Sequence, residues 1–367
     1  MIRVPRSTID WLLEPSNAVV RAITLEHVLR RRADDPELRE ARAAIASSRW
    51  VGHVMRGQHA DGWWVNSKSC YQPRGEATVW HLQLLAELGA AGDDPRIVTA
   101  CERFLRQHAM SDGGFACGRH RDRYSEECLT GHMLYTLAAF GRGRDARSLA
   151  ARDWLLKRQL ADGGWNCTPH RAHSSFVSTL GPTKALALMT DPESARALRR
   201  AVEFLLAHRV FFSHVTGRPV KRFWPPVIQF PAHYAYDLLH PLRTLVIARA
   251  KVDERLEDAL ALLEARAEVA ARWRTDAAPR AMMIERPGRP GKWVTVAALA
   301  VLAHFGRLTY DEQRDLEHET KPRRARSGAA ASKGGAGARR SVPRTSRPRA
   351  GGARAAKRSG GRARRSR

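Results

Sequence analysis

No stretch of this 367-residue chain is apolar for long enough to cross a membrane. The longest nearly uncharged run, Val294 to Phe305, falls well short of the roughly 18–20 residues that a span needs, and reads as a buried helix. Cysteine is scarce. Five residues at irregular spacing give no disulfide framework, and no charged stretch followed by an apolar core near Met1 marks export. Reduced thiols and a cytoplasmic location are therefore expected. Acidic residues are missing altogether from 321–367, which holds 17 Lys and Arg. That leaves 46 of the 63 bases against all 37 acids on residues 1–320, a net of +9 beside +17. Bulky apolar side chains are nearly absent there too, so 321–367 cannot bury a core and reads as a disordered basic tail on one large domain, 1–320. Its Arg323, Arg324, Arg339, Arg340, Lys357, Arg358, Arg364 and Arg365 are candidates for binding nucleic-acid phosphates by counterion release, without sequence readout. A solubilising tail is the alternative.

What is present is a repeat. An Asp, often followed by Pro or an acid, opens a helix-patterned segment at Asp35, Asp94, Asp145, Asp191, Asp253 and Asp311. Asp accepts from the free N–H groups of a first turn, and Pro36, Pro95 and Pro192 stand where no N–H is missed. Between these segments lie more apolar ones, 18–30, 77–91, 127–141, 175–190, 232–248 and 293–306, several ending in glycine, as at Gly89, Gly141 and Gly306. Each unit is thus a helical hairpin, and about six of them are expected to close a ring. Three polar segments run into the turns QHADGWW (58–64), HAMSDGGF (108–115) and QLADGGW (159–165). Upstream, Phe104, Trp154 and Phe204 recur at a spacing of 50, each followed by Leu, as one reused packing position would. A solenoid of the HEAT type is the rival, but it rarely needs a glycine-aromatic turn at every step.

Gln58, Gly62 and Trp64, and again Gln159, Gly163 and Trp165, resemble the Gln/Trp repeat of squalene and oxidosqualene cyclases; the middle copy departs with His108 and Phe115. Residues 111–141 also resemble the repeat of protein prenyltransferase β subunits, and WLLE (Trp11 to Glu14) and KWVT (Lys292 to Thr295) resemble segments of bacterial squalene-cyclase-like repeat proteins. The resemblance covers roughly 16–306. It implies an all-α fold, an α/α toroid of the terpenoid cyclase and protein prenyltransferase kind, with inner helices around an apolar cavity and the Gln/Trp motif bracing neighbouring hairpins. It also implies a hydrophobic ligand, an isoprenoid or another lipid.

The chemistry of those families is only partly present. Neither the Asp-x-Asp-Asp of protonating cyclases nor an Asp-Asp-x-x-Asp for magnesium and diphosphate occurs, and the doublets Asp34/Asp35 and Asp93/Asp94 are explained by capping. The prenyltransferase zinc ligands do not line up either: Gly114 or Phe115 stands for the Cys, and Tyr124 or Ser125 for the His. A separate soft-ligand set exists in Cys117, His120, Cys128 and His132 with Cys167, His170 and His173. Cys and neutral His suit zinc, so zinc is the possible cofactor, the alternative being buried thiols and solvated histidines. In 230–242, His233, Tyr236, Asp237 and His240 fall on one helical face, where Asp237 would orient His233 or His240 as an acid or base; an interhelical hydrogen-bonded set is the plainer reading. Trp80, His81, Tyr124, Trp224, Tyr236 and Trp293 are candidate cavity-lining residues. Two function classes stay open: a cyclase- or prenyltransferase-like enzyme lacking the standard acid motifs, and a non-catalytic toroid that binds a lipid or protein and is tethered to nucleic acid by its tail.

Overall fold

A computed structural model describes residues 1–117, 124–213, 215–224, 226–231, 236–276 and 284–311. Its described residues form thirteen α-helices and one two-stranded parallel sheet. After β1 (Ile2–Val4) and α1 (Arg6–Leu12), an inner helix α2 (Ala18–Ile23) continues into a π-helical turn, Thr24–Val28. The outer helices α3 (Pro36–Ala43) and α4 (Arg49–Met55) follow. Inner and outer helices then alternate: α5 (Thr78–Glu87), α6 (Pro95–His108), α7 (Glu127–Ala139), α8 (Ala146–Arg158), α9 (Phe176–Leu186), α10 (Pro192–Ala207), α11 (Leu239–Ile247), α12 (Glu257–Ala265) and α13 (Lys292–His304), ending in β2 (Leu308–Tyr310).

Local chemistry sets the helix boundaries. The carboxylates of Asp35, Asp94, Asp145, Asp191 and Asp253 accept backbone N–H groups of the next turn at 2.8–3.0 Å, opening α3, α6, α8, α10 and the 3-10 turn before α12. Asp311 differs. It pairs with Arg3 beside β2, and the segment it was expected to open lies outside the described residues. Gly89, Gly141 and Gly306 take positive φ just past α5, α7 and α13, the conformation that ends a helix with least strain. The fifth inner helix starts later than 232: Asp237 accepts the His240 N–H at 2.6 Å, and helix begins at Leu239.

Consecutive inner helices meet from α5 round to α2. α5 packs on α7, α7 on α9, α9 on α11, α11 on α13, and α13 returns to α2 and its π turn. α7 and α9 meet backbone to backbone, since a Cβ on Gly131 would lie 2.2 Å from Pro182 and one on Gly181 2.7 Å from the His132 nitrogen. The two ends are tied together. β1 pairs with β2 from Ile2–Leu308 to Val4–Tyr310, the Tyr310 hydroxyl donates to Val28 O at 2.7 Å, and Lys292 pairs with Glu14 at 2.7 Å. The chain is an α/α toroid whose inner helices are buried nearly all round and whose outer helices bury one stripe.

Candidate functional site

The glycine-aromatic turns are structural. In each, a backbone N–H closes onto the carbonyl four residues on: His59 to Trp63, Met110 to Gly114 and Leu160 to Gly164, at 2.8–2.9 Å. Trp64 and Trp165 are fully buried, and each indole N–H donates at 2.9 Å to the outer helix it has just left, at Val54 O and Leu155 O. Their backbone N–H groups donate to Thr78 and Thr179 on the next inner helix, as Phe115 does to Thr130. Gln58 and Gln159 reach forward to Arg96 O and Ala197 O on the following outer helix, at 2.9 and 2.8 Å. In the first and third copies the motif thus joins two outer helices and one inner helix.

All six inner segments contribute to one central cavity of about 520 Å3. Its apolar wall is Phe230 with Trp293, Val296, Ala297, Ala300 and Val301 of α13; the exposed Leu188 and Arg249 stand at its mouth. The lining is charged where Glu87 of α5, Lys184 of α9 and Arg243 of α11 stand beside Tyr135 of α7, with the Arg243 guanidinium 5.8 Å from the centre of the Phe230 ring. Arg243 Nη1 lies 3.6 Å from Glu87 Oε2, and the Lys184 ammonium lies 4.9 Å from the centre of the Tyr135 ring. Burial pushes Lys184 down to about 8, with Glu87 opposing the shift, and pushes the Tyr135 hydroxyl up to about 12. His27, from the π turn, also lines the cavity, with about half of its side chain exposed (51%). Sequence reading missed this charged lining. The signal was there as a lone charge in two apolar segments, Glu87 in 77–91 and Lys184 in 175–190, while 232–248 holds Asp237 as well as Arg243.

The soft-ligand residues separate in the folded chain. Cys117 is joined to Cys70 in a disulfide, which corrects the expectation of reduced thiols throughout. Cys128 instead meets Cys167, whose Sγ accepts its backbone N–H at 2.9 Å; the neighbouring sulfur and burial push the Cys128 thiol well up. His132 is buried, with its ring 5.9 Å from that of His240; His170 and His173 are exposed, and His120 lies outside the described residues. Among the described residues, Cys70, His108 and Cys117 place one ligand atom each within 4.8 Å of the others. Joined sulfurs offer no thiolate, so that cluster suits zinc only in reduced protein.

Asp237 is fully buried, and its carboxylate accepts from the backbone of His240 and of Gln229, the latter at 3.1 Å. Burial pushes it up to about 7, against the pull of those N–H groups. It braces the start of α11, while His240 faces the cavity and His233 lies outside the described residues. Trp293 lines the cavity, stacked on Phe230 with ring centres 5.2 Å apart. The remaining aromatic candidates stand elsewhere. His81 stacks on Trp64, Trp80 donates its indole N–H to Tyr71 O, and Tyr236 donates to Val210 O within a cluster of Phe176, Phe211 and Phe223. Trp224 is partly exposed beside Phe212, and Tyr124 is half-buried three residues before α7.

No family model matches this chain, and no curated protein does. Several solved structures are similar. A protein from Actinoplanes is 16% identical over 80% of this chain and 88% of its own, with a TM-score of 0.41. The ent-copalyl diphosphate synthase from Streptomyces platensis is 18% identical over 80% of this chain and 51% of its own, at 0.42. The type II terpene cyclase MstE from Scytonema is 16% identical over 80% and 87%, at 0.41. Likeness at this level carries no inference about activity, and the ring is read from this chain's own helices.

Proposed function

We propose that the ring is a container for a hydrophobic ligand, an isoprenoid or another lipid, held in its central cavity. The observation that carries this reading is a cavity of about 520 Å3 walled by all six inner segments, a volume within the range of about 300–1,000 Å3 usual for small-molecule sites. With no Asp-x-Asp-Asp or Asp-Asp-x-x-Asp in the sequence, no step is assigned to those motifs. If the ligand is transformed, His240 is the member of the candidate acid-base set that faces it.

The test is ligand binding with and without the cavity. Dodecanoic acid or dodecanol should bind, and native mass spectrometry of protein purified without detergent should find a copurified lipid. Ala297→Trp fills the space against the apolar wall, so it should remove both signals while costing about 1–3 kcal/mol through overpacking. Binding unchanged in Ala297→Trp would place the ligand outside the ring. The composition of 321–367 favours a second role alongside this one, attachment to nucleic acid through the basic tail.

A further inference from the structure

We infer that the ligand of the central cavity carries an anionic head, a carboxylate or phosphate, held between Lys184 and Arg243; this rests on the reading of the ring as a container. Lys184 is 5% exposed and lines the cavity, yet no described residue places a hydrogen-bond acceptor on its ammonium. The nearest aromatic contact is the face of Tyr135 at 4.9 Å, a weak partner for a buried charge. Glu87 does not fill the role. It lies against Arg243 at 3.6 Å, too long for a hydrogen bond, and its buried Oε2 accepts none.

The charge balance points the same way. Histidines and the exposed Arg249 at the mouth apart, the lining holds one carboxylate, Glu87, against Lys184 and Arg243, a surplus of one positive charge in a largely apolar hollow. An ammonium buried without an acceptor is costly, and a hydrocarbon ligand would make it worse by stripping its remaining water. An anion between Lys184 and Arg243 removes the surplus and supplies the missing acceptor, with Arg243 offering a planar fork and Lys184 a point charge. The α13 wall of Val296, Ala297, Ala300 and Val301 then takes the chain. The cavity therefore offers both charged and apolar lining, as an amphiphile has both a head and a chain.

The experiment compares ligands that share a chain and differ in the head: dodecanoic acid, dodecyl phosphate and dodecanol, each titrated into the full-length protein, with inorganic phosphate as the head alone. The acid or the phosphate ester should bind at least about tenfold more tightly than the alcohol, the usual worth of one charge-assisted hydrogen bond. Lys184→Met and Arg243→Met should each erase that preference and leave dodecanol binding within about threefold of wild type. Equal affinity for acid and alcohol in wild type would overturn the head-group assignment while leaving the container reading intact. Failure of all three chains would overturn the container itself and this inference with it. Inorganic phosphate binding as tightly as dodecyl phosphate would make this a small-anion site and overturn the amphiphile. Melting curves of both variants confirm that the ring is still folded.

Discussion

Lys184 lies in the last turn of α9, in the lining it shares with Glu87, Tyr135 and Arg243, where an apolar side chain would be easier to bury. Its pKa is pushed down to about 8 from an ordinary 10.5, so between those values the unfolded chain holds a proton that the folded chain has shed. Stability from this group therefore rises as pH climbs from about 8 to about 10.5 and is lowest below 8. The gap corresponds to about 3 kcal/mol. Lys184→Met should accordingly raise the melting temperature at pH 7 even as it weakens anion binding, and its advantage should shrink by pH 10. A wild type as stable as the variant at pH 7 would show that the ammonium is solvated or paired. The opposed signs are what a binding group held at the expense of the free fold produces. In the sequence Lys184 and Glu87 are lone charges in apolar segments, as is Arg243 but for Asp237. That they share a lining depends on how three separate inner helices are rotated, which periodicity does not fix, whereas the capping role of Asp94 or Asp191 needs only the next few residues.

At the scale of the element, the turns show why some repeats were legible and others were not. Gly62, Gly113 and Gly163 take φ of 81°, 99° and 98°, and each lies where a Cβ would press on the next outer helix: 2.7 Å from Ala100 N, 3.0 Å from Ala150 O and 2.4 Å from Arg200 O. A fifth turn repeats their geometry without glycine. Glu268 N–H closes onto Arg272 O at 2.7 Å, Trp273 donates its indole N–H to Leu263 O and its backbone N–H to Thr295, and Ala271 at φ 52° stands in the glycine position. There the neighbour is α1, with Thr8 Oγ1 donating to Ala270 O at 2.6 Å. In the fourth hairpin Arg209 and Val210 take positive φ before the buried Phe211. Sequence reading keyed on glycine and so found three turns; the aromatic and its Thr partner persist where the glycine does not. Gly163→Ala should then cost roughly 2–4 kcal/mol, from unfavourable φ and the collision with Arg200 O together. Ala271→Gly should change stability by less than about 1 kcal/mol. Urea denaturation of the two variants compares them directly, and equal effects would mean that φ alone, rather than the approach of the next helix, selects glycine.

At the scale of the whole molecule, closure needs partners far apart in the chain, and the sequence held only hints of them. Six apolar segments suggested a ring, but the parallel pairing of Ile2–Val4 with Leu308–Tyr310 and the bonds of Lys292 to Glu14 and Trp11 O had no local signature. Charge is divided as unevenly as order of contact: residues 1–320 carry a net of +9 and 321–367 a net of +17. The body's charges are largely engaged with one another. Arg147 bridges Asp145 and Glu102, Arg255 bridges Asp253 and Glu203, and Arg307 bridges Glu257 and Glu264, each tying an outer helix to its neighbour or to the closing strand. The tail has no acid of its own to pair with, and Arg323, Arg324, Arg339, Arg340, Lys357, Arg358, Arg364 and Arg365 all lie outside the described residues. Deleting 321–367 should therefore leave the melting temperature within about 2 °C of the full chain, since surface changes away from packed features usually stay within about 0.5 kcal/mol. The same deletion should abolish most binding to duplex DNA, because affinity from phosphate neutralisation scales with the number of bases engaged and falls steeply with salt. Filter binding of both chains from low to physiological salt measures this. A steep salt slope lost with the tail assigns the contact to 321–367, and a slope that survives the deletion moves the basic surface onto the ring.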